Sequence, residues 1–270
     1  MTFDKSSLSL IVPAFNEEGN LETAVRDLKD AMAGRFSDYE ILIFNDGSTD
    51  RTAIIADSLA ADDPHIRVIH HMKNRGLGYV ISRGYKSAAK DYVMWYPGDN
   101  GMQRRSLDVM FENAGKADMV IPYIANPEFR SHKRQRVSGL YVGLINVLFG
   151  LRLKYYNGVV VYRTELVKSA SACTHGFASI AELLIRLVKA GYSYIEVPTY
   201  HQQRKHGASK AFRFQNFRDI AWTFAKLIWS LNIKHENPLN LVRRRELREA
   251  RHAKDAAENG KTPPHEPSCR

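Results

Sequence analysis

Short apolar runs alternate, through residues 1–125, with segments in which apolar side chains recur every three or four positions. The runs predict buried strands, and the longer spacing predicts helices that pack on them. This alternation indicates an α/β fold, a mainly parallel sheet flanked by helices. Within it we predict strands at 8–15, 39–45, 66–71, 91–97 and 117–123, and helices at 17–33, 50–61, 78–90 and 104–115.

The pattern changes after residue 125. Residues 126–136 are polar and basic, and residues 137–150 have the spacing of an amphipathic helix. The elements predicted beyond them are a strand at 157–162, a helix at 178–190 and a strand at 193–199. We therefore expect a single domain over residues 1–211, with two halves that meet near residue 125.

The C-terminal part has a different composition. Residues 212–242 are rich in aromatic side chains, and the spacing at 212–233 predicts an amphipathic helix. Two interpretations stay open: the helix docks on the core, or it lies in a membrane interface with its tryptophan rings at headgroup depth. Residues 243–270 are charged and then proline-rich, which predicts a disordered tail.

Charge and cysteine content narrow the function. The chain has 270 residues and a formal net charge of +10, which favours phosphate-bearing partners such as nucleotides, anionic lipids or nucleic acid. Nucleic acid ranks last, because no basic stripe with interleaved aromatics precedes residue 200. The two cysteines, Cys173 and Cys269, predict no structural disulfide and a reducing compartment. We expect neither a signal peptide nor a membrane-spanning helix.

Two predicted strands run directly into acidic turns. The strand at 39–45 ends at Asp46, and the strand at 91–97 is followed by Gly98 and Asp99. Ligands of open α/β sheets bind at the carboxyl ends of the strands. The two turns therefore predict a ligand with a base or ribose at one end and a metal-bound phosphate at the other. The alternative for each is a plain turn, and at the first turn Ser48 or Asp50 would cap the helix that follows.

Three further segments have residues suited to phosphate chemistry. Lys73–Gly78 combines cations and glycines at a predicted helix start, which suits a diphosphate. Arg204–Lys210 is a basic loop that can close on phosphates. Glu182 lies on the predicted helix at 178–190, either facing the pocket as a base or facing solvent.

The order of these motifs resembles a known family. Val12–Glu18, Asn45–Asp50, Asn74–Gly78 and Gly98–Asp99 together resemble family 2 glycosyltransferases of the GT-A fold. Glu182 and the Arg204–Lys210 loop are similar to the dolichyl-phosphate mannose synthase branch, which includes bacterial polyprenyl-phosphate sugar transferases. The resemblance extends over residues 8–210, and it implies that residues 1–125 bind a nucleotide sugar and residues 126–211 an acceptor.

The resemblance implies roles by position. Residues implied to contact the donor nucleotide sugar are Pro13, Phe15, Glu17, Asp46, Ser48, Arg75, Gly76 and Gly98. Residues implied to bind the acceptor phosphate are Arg134 or Arg136, between which the alignment is ambiguous, and Ser138. Residues implied to act in catalysis are Asp99, Arg204, Lys210 and Glu182, with Asp99 also holding Mg²⁺ or Mn²⁺.

Two positions depart from the family pattern. Pro97 stands where the family usually has the first acidic residue of an Asp-x-Asp motif, which puts the affinity for metal in doubt. Lys154 stands where many relatives have an aspartate four residues before the glycine matched by Gly158. The loss of a carboxylate there indicates that the acceptor differs from the usual one.

The combined hypothesis is an inverting transfer of a sugar from a nucleotide diphosphate to a polyprenyl phosphate. A phosphate monoester is already anionic near neutral pH, so it attacks without a general base, whereas a hydroxyl acceptor needs a positioned carboxylate. We expect a peripheral enzyme at the cytoplasmic face of the membrane, with an integral-membrane partner as a further expectation. The alternatives are transfer to a hydroxyl acceptor, and a nucleotide-sugar-binding protein without turnover.

Overall fold

The computed structural model describes residues 6–169, 178–202 and 223–233. Seven strands form one sheet in the order β3-β2-β1-β4-β6-β5-β7. The strands are β1 (Ser7–Ala14), β2 (Asp38–Asn45), β3 (Ile66–His70), β4 (Tyr92–Trp95), β5 (Met119–Ile124), β6 (Val161–Arg163) and β7 (Tyr194–Thr199). The helices are α1 (Leu21–Met32), α2 (Thr52–Asp62), α3 (Leu77–Ser87), α4 (Arg104–Glu112), α5 (His132–Phe149), α6 (Thr164–Ser169) and α7 (Ser179–Lys189).

The sheet is parallel except at β6. β1 pairs in parallel with β2 and β4, β2 with β3, and β5 with β7, whereas β6 runs antiparallel between β4 and β5. The carboxyl ends of the parallel strands therefore lie along one edge of the sheet. This arrangement confirms the predicted α/β fold and brings the loops that follow these strands together.

The core explains why the central strands are continuously apolar. A strand in the middle of a parallel sheet is covered by helices on both faces, so successive side chains are all buried. Leu10, Ile11 and Val12 of β1 are fully buried in this way. α3 packs closely on β1, since a Cβ at Gly84 would lie 2.5 Å from Cγ2 of Ile11. This contact sets how closely α3 packs on the sheet, and the N-terminus of α3 follows the loop after β3.

Three elements begin four or five residues away from their predicted start. α5 begins at His132 rather than at residue 137, because the lysine, arginines and glutamine of its first turns are good helix formers despite their polarity. The strand predicted at 157–162 is only Val161–Arg163, and the short helix α6 follows it directly. α1 begins at Leu21 rather than at residue 17, because the preceding residues form a turn with Asn16 at φ 58°.

A second helix packs on α5. Residues 223–228 are α-helical and continue into a π-helical turn, Trp229–Ile233. The ring of the buried Phe224 lies 5.9 Å from that of Tyr141 and 6.3 Å from that of Phe149, both on α5. This part of the predicted C-terminal helix therefore docks on the core. The rest of that helix, the predicted tail and both cysteines lie outside the described residues.

Among the helices in the described ranges, none combines the length and the apolar character needed to cross a membrane.

Candidate active site

The two acidic turns converge on the end of β1. The backbone N–H of Asp46 donates to the carbonyl oxygen of Ala14 at 2.8 Å, and that of Gly98 donates to the carbonyl of Pro13 at 3.1 Å. A Cβ at Gly98 would lie 3.0 Å from the same Pro13 oxygen, so the approach leaves little room for a side chain. The structure therefore brings Asp46 and Asp99, far apart in sequence, to the two sides of one strand end.

Asp46 fastens the loop that follows β3. Its carboxylate accepts hydrogen bonds from the backbone N–H groups of Arg75 at 2.9 Å and Gly76 at 2.8 Å. Nδ1 of His71 lies 2.8 Å from the same carboxylate. A carboxylate has about four acceptor sites, so these three contacts leave little capacity for a ligand. Asp46 contributes to the site mainly by shaping the residue 71–76 loop.

His71 is a site residue that the sequence analysis missed. It directly follows β3, and its N–H donates to the carbonyl of Asn45 at 2.9 Å, which places it beside Asp46. Its ring also makes an edge contact with Tyr79 at 5.5 Å. The signal in the sequence was a histidine at the end of a strand that neighbours the acidic turn, but its recognition requires the strand order.

The turn after β1 is bound to the turn after β2. The N–H of Asn16 donates to Oγ of Ser48 at 3.0 Å, and the N–H of Glu17 donates to Oγ1 of Thr52 at 2.8 Å. Ser48 therefore does not cap α2. Asp50 is not the N-cap residue either, because Arg51 holds that position, but its carboxylate accepts the N–H of Thr52 at 3.0 Å. The contacts bring the predicted donor-binding residues of the two turns together.

The start of α3 presents positive charge beside this turn. Lys73 and Arg75 are exposed, and the guanidinium of Arg75 lies 4.5 Å above the ring of Tyr79. Gly76 precedes the helix at φ 88°, a conformation that favours glycine. Cations next to a helix N-terminus suit an anionic group such as a diphosphate.

The Asp99 turn is held by its own network. Oδ1 of the buried Asp99 accepts the N–H of Gly101 at 3.0 Å. Asn100, at φ 50°, donates to Asp27 at 2.7 Å and accepts the hydroxyl of Tyr96 at 2.6 Å. Burial raises the pKa of Tyr96, and the nearby carboxylates of Asp27 and Asp99 add to this effect, so the hydroxyl remains a donor.

The donor atoms at this turn fit one divalent ion only with help from a ligand. Among the described residues, no three histidine, cysteine, aspartate or glutamate side chains form a cluster suited to a metal. Asn100 uses its amide oxygen for Tyr96, and Gln103 donates its amide to the carbonyl of His201 at 3.1 Å. Mg²⁺ is commonly held by one or two carboxylates plus substrate phosphates and water. Asp99 fits that pattern, provided that a diphosphate supplies further oxygens.

The end of β7 is tied to the same turn. Nε2 of Gln202 donates to the carbonyl of Asn100 at 3.0 Å, and the N–H of His201 donates to Oδ1 of Asn126 at 2.9 Å. The predicted phosphate-binding residues Arg204 and Lys210 follow shortly after Gln202 but lie outside the described residues. Gln202, the last described residue before them, lies next to the Asp99 turn.

The predicted acceptor residues all lie on the first two turns of α5. Arg134 and Ser138 are half-buried and four residues apart, which places them on one face of the helix. Arg136 is exposed on another face. A shared face favours the pair of Arg134 with Ser138 over the pair of Arg136 with Ser138.

Glu182 does not face solvent. It is only 2% exposed, and Oε1 accepts hydrogen bonds from Nη2 of Arg186 at 2.8 Å and Nε of Arg186 at 3.0 Å. The alternative of an exposed helix carboxylate is therefore wrong. Its role as a base stays a prediction, and the buried ion pair constrains it because one oxygen already neutralises an arginine.

Lys154, at the position where the resemblance implies a carboxylate, lies beside β5 and β7. Its backbone N–H donates to Oε1 of Glu196 at 2.8 Å, and its ammonium lies 4.2 Å above the ring of Tyr123 in β5. A Cβ at Gly158 would lie 2.5 Å from Cγ of Pro122, so the glycine allows this loop to pack on β5. A cation thus occupies the position for which the resemblance implies an acid.

Comparison with known proteins identifies the family. The sequence profile of "Glycosyl transferase family 2" matches residues 9–177, more than half of the chain. The protein belongs to glycosyl transferase family 2. It is 28% identical over 206 residues to an undecaprenyl-phosphate 4-deoxy-4-formamido-L-arabinose transferase of Edwardsiella ictaluri, covering 75% of this chain and 62% of that protein. It therefore spans less than two thirds of that relative.

Two further similarities agree with this family assignment. An undecaprenyl-phosphate mannosyltransferase of Micrococcus luteus is 25% identical over 211 residues, covering 74% of this chain and 85% of the relative. Among solved structures, glucosyl-3-phosphoglycerate synthase of Mycobacterium tuberculosis, crystallised with Mn²⁺, UDP and glucosyl-3-phosphoglycerate, superposes with a TM-score of 0.62. That enzyme is 17% identical, with 82% of this chain and 79% of the enzyme covered. The likeness confirms the predicted GT-A fold.

Proposed function

We propose that this protein transfers a sugar, with inversion, from a nucleotide-diphosphate sugar to a polyprenyl phosphate. The observation that carries the proposal is the convergence of the Asp46 and Asp99 turns on the end of β1. The two relatives named for undecaprenyl phosphate support the acceptor class.

The donor half follows from the residues around β1. Pro13, Phe15 and Glu17 border the nucleoside, and the loop shaped by Asp46 offers Arg75 and Gly76 to the diphosphate. Asp99 would hold Mg²⁺ or Mn²⁺, which supplies positive charge that stabilises the departing nucleoside diphosphate. The cations of this chain, Arg75 and the Arg204–Lys210 loop, act on the same developing charge.

The acceptor half needs no general base. A phosphate monoester has its second pKa near 6, so it is a competent nucleophile at neutral pH when it is aligned with the anomeric carbon. Arg134 and Ser138, with Arg136 close by, bind and orient that phosphate. Lys154 in place of an acid, and Glu182 held by Arg186, are both compatible with such an acceptor. The reaction takes place at a membrane surface, and we place it at the cytoplasmic face.

The test is a transfer assay with purified protein, a membrane lipid extract and a panel of labelled nucleotide sugars, with Mg²⁺ or Mn²⁺ present. We expect label to enter the organic phase with one donor. Asp99→Ala should lose most of this activity with an unchanged circular dichroism spectrum, whereas Glu22→Ala, an exposed carboxylate on α1, should retain it. Full activity of Asp99→Ala would remove that residue from the mechanism.

Other results would select the alternatives. A labelled product that stays in the aqueous phase indicates a hydroxyl acceptor on a glycan, protein or small molecule. If the protein binds the donor but neither transfers nor hydrolyses it, with Mg²⁺ or with Mn²⁺, it is a nucleotide-sugar-binding protein without turnover.

A further inference from the structure

A polar side chain of α1 reaches the turn that carries Asp99. Oδ2 of the half-buried Asp27 accepts a hydrogen bond from Nδ2 of Asn100 at 2.7 Å. The two residues are 73 positions apart in the sequence, so the contact joins the helix after β1 to the loop after β4. Asp27 lies outside every motif by which the sequence predicted the site.

The amide of Asn100 is held at both of its ends. Its Oδ1 accepts the hydroxyl of Tyr96 at 2.6 Å, while its Nδ2 donates to Asp27. Tyr96 is fully buried after the end of β4, so it is a fixed partner. Because a carboxylate accepts hydrogen bonds and does not donate them, Asp27 determines which end of the amide faces α1.

The backbone of Asn100 adopts a conformation that depends on such contacts. Its φ of 50° lies in the left-handed region, which asparagine enters more readily than most residues but which still favours glycine. Conformations of this kind persist where the surrounding structure holds them. Gln202 contributes from the end of β7, since its Nε2 donates to the carbonyl of Asn100 at 3.0 Å.

The orientation of Asp99 follows from the conformation of its neighbour. Asp99 directly precedes Asn100, and its Oδ1 accepts the N–H of Gly101 at 3.0 Å, so the three residues form one turn. Pro97 stands where the resemblance implies a further acid. A divalent ion at this turn would therefore depend strongly on how firmly the Asp99 carboxylate is oriented.

We propose that Asp27 is a positioning residue, which orients Asp99 for a divalent ion by holding the side chain of Asn100. Residues that support a metal ligand in this way typically change metal affinity 10- to 100-fold when they are replaced. The role rests on the proposed function, in which Asp99 holds Mg²⁺ or Mn²⁺ beside a nucleoside diphosphate. Asp27 itself acts through Asn100 and does not bind the ion.

The test measures binding of Mn²⁺ to the full chain by electron paramagnetic resonance, with a nucleoside diphosphate present. Asp27→Ala should weaken Mn²⁺ binding by about ten-fold. Asp27→Asn should bind Mn²⁺ nearly as the wild type does, because an amide oxygen still accepts the hydrogen bond of Asn100. Asp30→Ala replaces an exposed carboxylate on the same helix and is the matched control, which should bind Mn²⁺ like the wild type.

Two results of this measurement would overturn the proposal. Equal losses in Asp27→Asn and Asp27→Ala would show that the charge of Asp27, rather than its hydrogen bond to Asn100, affects the ion. A wild type that binds no Mn²⁺ beside the nucleoside diphosphate would show that the turn does not hold a metal.

A double-mutant cycle tests the route through Asn100. Asn100→Gly removes the amide and leaves the left-handed backbone conformation accessible. If Asp27 acts through that amide, Asp27→Ala should have no further effect on Mn²⁺ affinity in the Asn100→Gly background. A further loss of about ten-fold in that background would contradict the proposed route.

Hydrogen exchange gives a readout that needs no metal. The N–H of Gly101 should exchange about ten-fold faster in Asp27→Ala than in the wild type, relative to the amides of β2, which report on the stability of the whole sheet. Asp27→Asn should show the exchange of the wild type. An unchanged rate at Gly101 in Asp27→Ala would show that Asp27 does not hold the turn.

A transfer assay separates this inference from the proposed function. Sugar transfer to a prenyl phosphate at an undiminished rate without a divalent ion would reject the role of Asp27 toward a metal and leave the proposed function standing. The expected pattern of Mn²⁺ affinities without transfer to any prenyl phosphate would reject the proposed acceptor and leave the role of Asp27 standing.

Discussion

Asp46 shows how much a single buried carboxylate determines at this site. Its contacts with Arg75, Gly76 and His71 join the turn after β2 to the loop before α3. Hydrogen bonds to a charged acceptor are stronger than those between neutral groups, and a buried polar group left without a partner costs free energy. The sequence identified Asp46 as a site residue, but its role as an organiser of the loop depends on which backbone N–H groups the fold delivers to it.

Asp63 offers a test of the electrostatics away from the site. Burial acts to raise its pKa, but hydrogen bonds from Lys29 and His65 outweigh burial and lower the pKa from 3.8 to about 2. Because the folded pKa is below the unfolded value, the stabilisation is complete above pH 3.8 and is lost as the pH falls through about 2.

We expect Asp63→Asn to lower the free energy of unfolding by about 2 kcal/mol at neutral pH. The loss should shrink as the pH falls from 3.8 to about 2, which urea denaturation at a series of pH values would measure. Asp62→Asn, at the exposed neighbouring position, is the control and should cost little. Equal stability of the Asp63→Asn variant and the wild type at neutral pH would contradict the assignment.

At the scale of elements, the site is built by turns that touch one another. Gly47 has φ 72°, and a Cβ there would lie 2.6 Å from the carbonyl carbon of Lys73. The turn after β2 therefore packs directly against the loop after β3. Gly34 has the same φ of 72°, but a Cβ there would meet open space, so the two glycines share a left-handed φ and differ in this contact.

Alanine substitutions at these glycines separate backbone strain from the contact. Gly34→Ala should destabilise the protein by roughly 1 kcal/mol through its positive φ. Gly47→Ala should lower the free energy of unfolding by roughly 1–3 kcal/mol more than Gly34→Ala does. It should also weaken nucleotide binding, because the residue 71–76 loop must move. Chemical denaturation and calorimetric titration with a nucleoside diphosphate would measure both effects. Identical losses of stability for the two variants would show that the contact of Gly47 with Lys73 does not affect stability.

The elements whose bounds were predicted wrongly lack a clear local pattern of apolar and polar residues. β6 is three residues long and lies between β4 and β5, so its state is set by its neighbours rather than by its own pattern. The start of α5 is polar on every side, and periodicity gives no boundary there. In both cases tertiary packing decides the outcome.

At the scale of the whole molecule, the sheet order creates the site. β1 lies between β2 and β4, so the two acidic turns that follow those strands flank its end. β7 pairs with β5 and returns the chain to the Asp99 turn through Gln202. The end of β7 therefore meets the loops of residues 1–125 at one edge of a continuous sheet.

The net charge of +10 gives a prediction for the molecule as a whole. Binding to anionic vesicles should weaken as salt rises, because screening shortens the reach of exposed charges to about 10 Å near 0.1 M ionic strength. Binding to vesicles of neutral lipid should be weaker and nearly independent of salt. Flotation assays at several salt concentrations would measure this, and equal binding to both kinds of vesicle would show that charge has no part.

The sequence by itself determined the α/β class, the position of most strands and helices, and the acidic turns at the ends of β2 and β4. These features depend on the local spacing of apolar residues and on residue type, both of which are present within each segment itself. Only the tertiary structure decided that His71 meets Asp46, that Glu182 pairs with Arg186 in the core, and that Leu140 and Val147 of α5 are exposed. Those outcomes depend on which distant segments become neighbours, and that is set by the packing of the complete sheet and its helices.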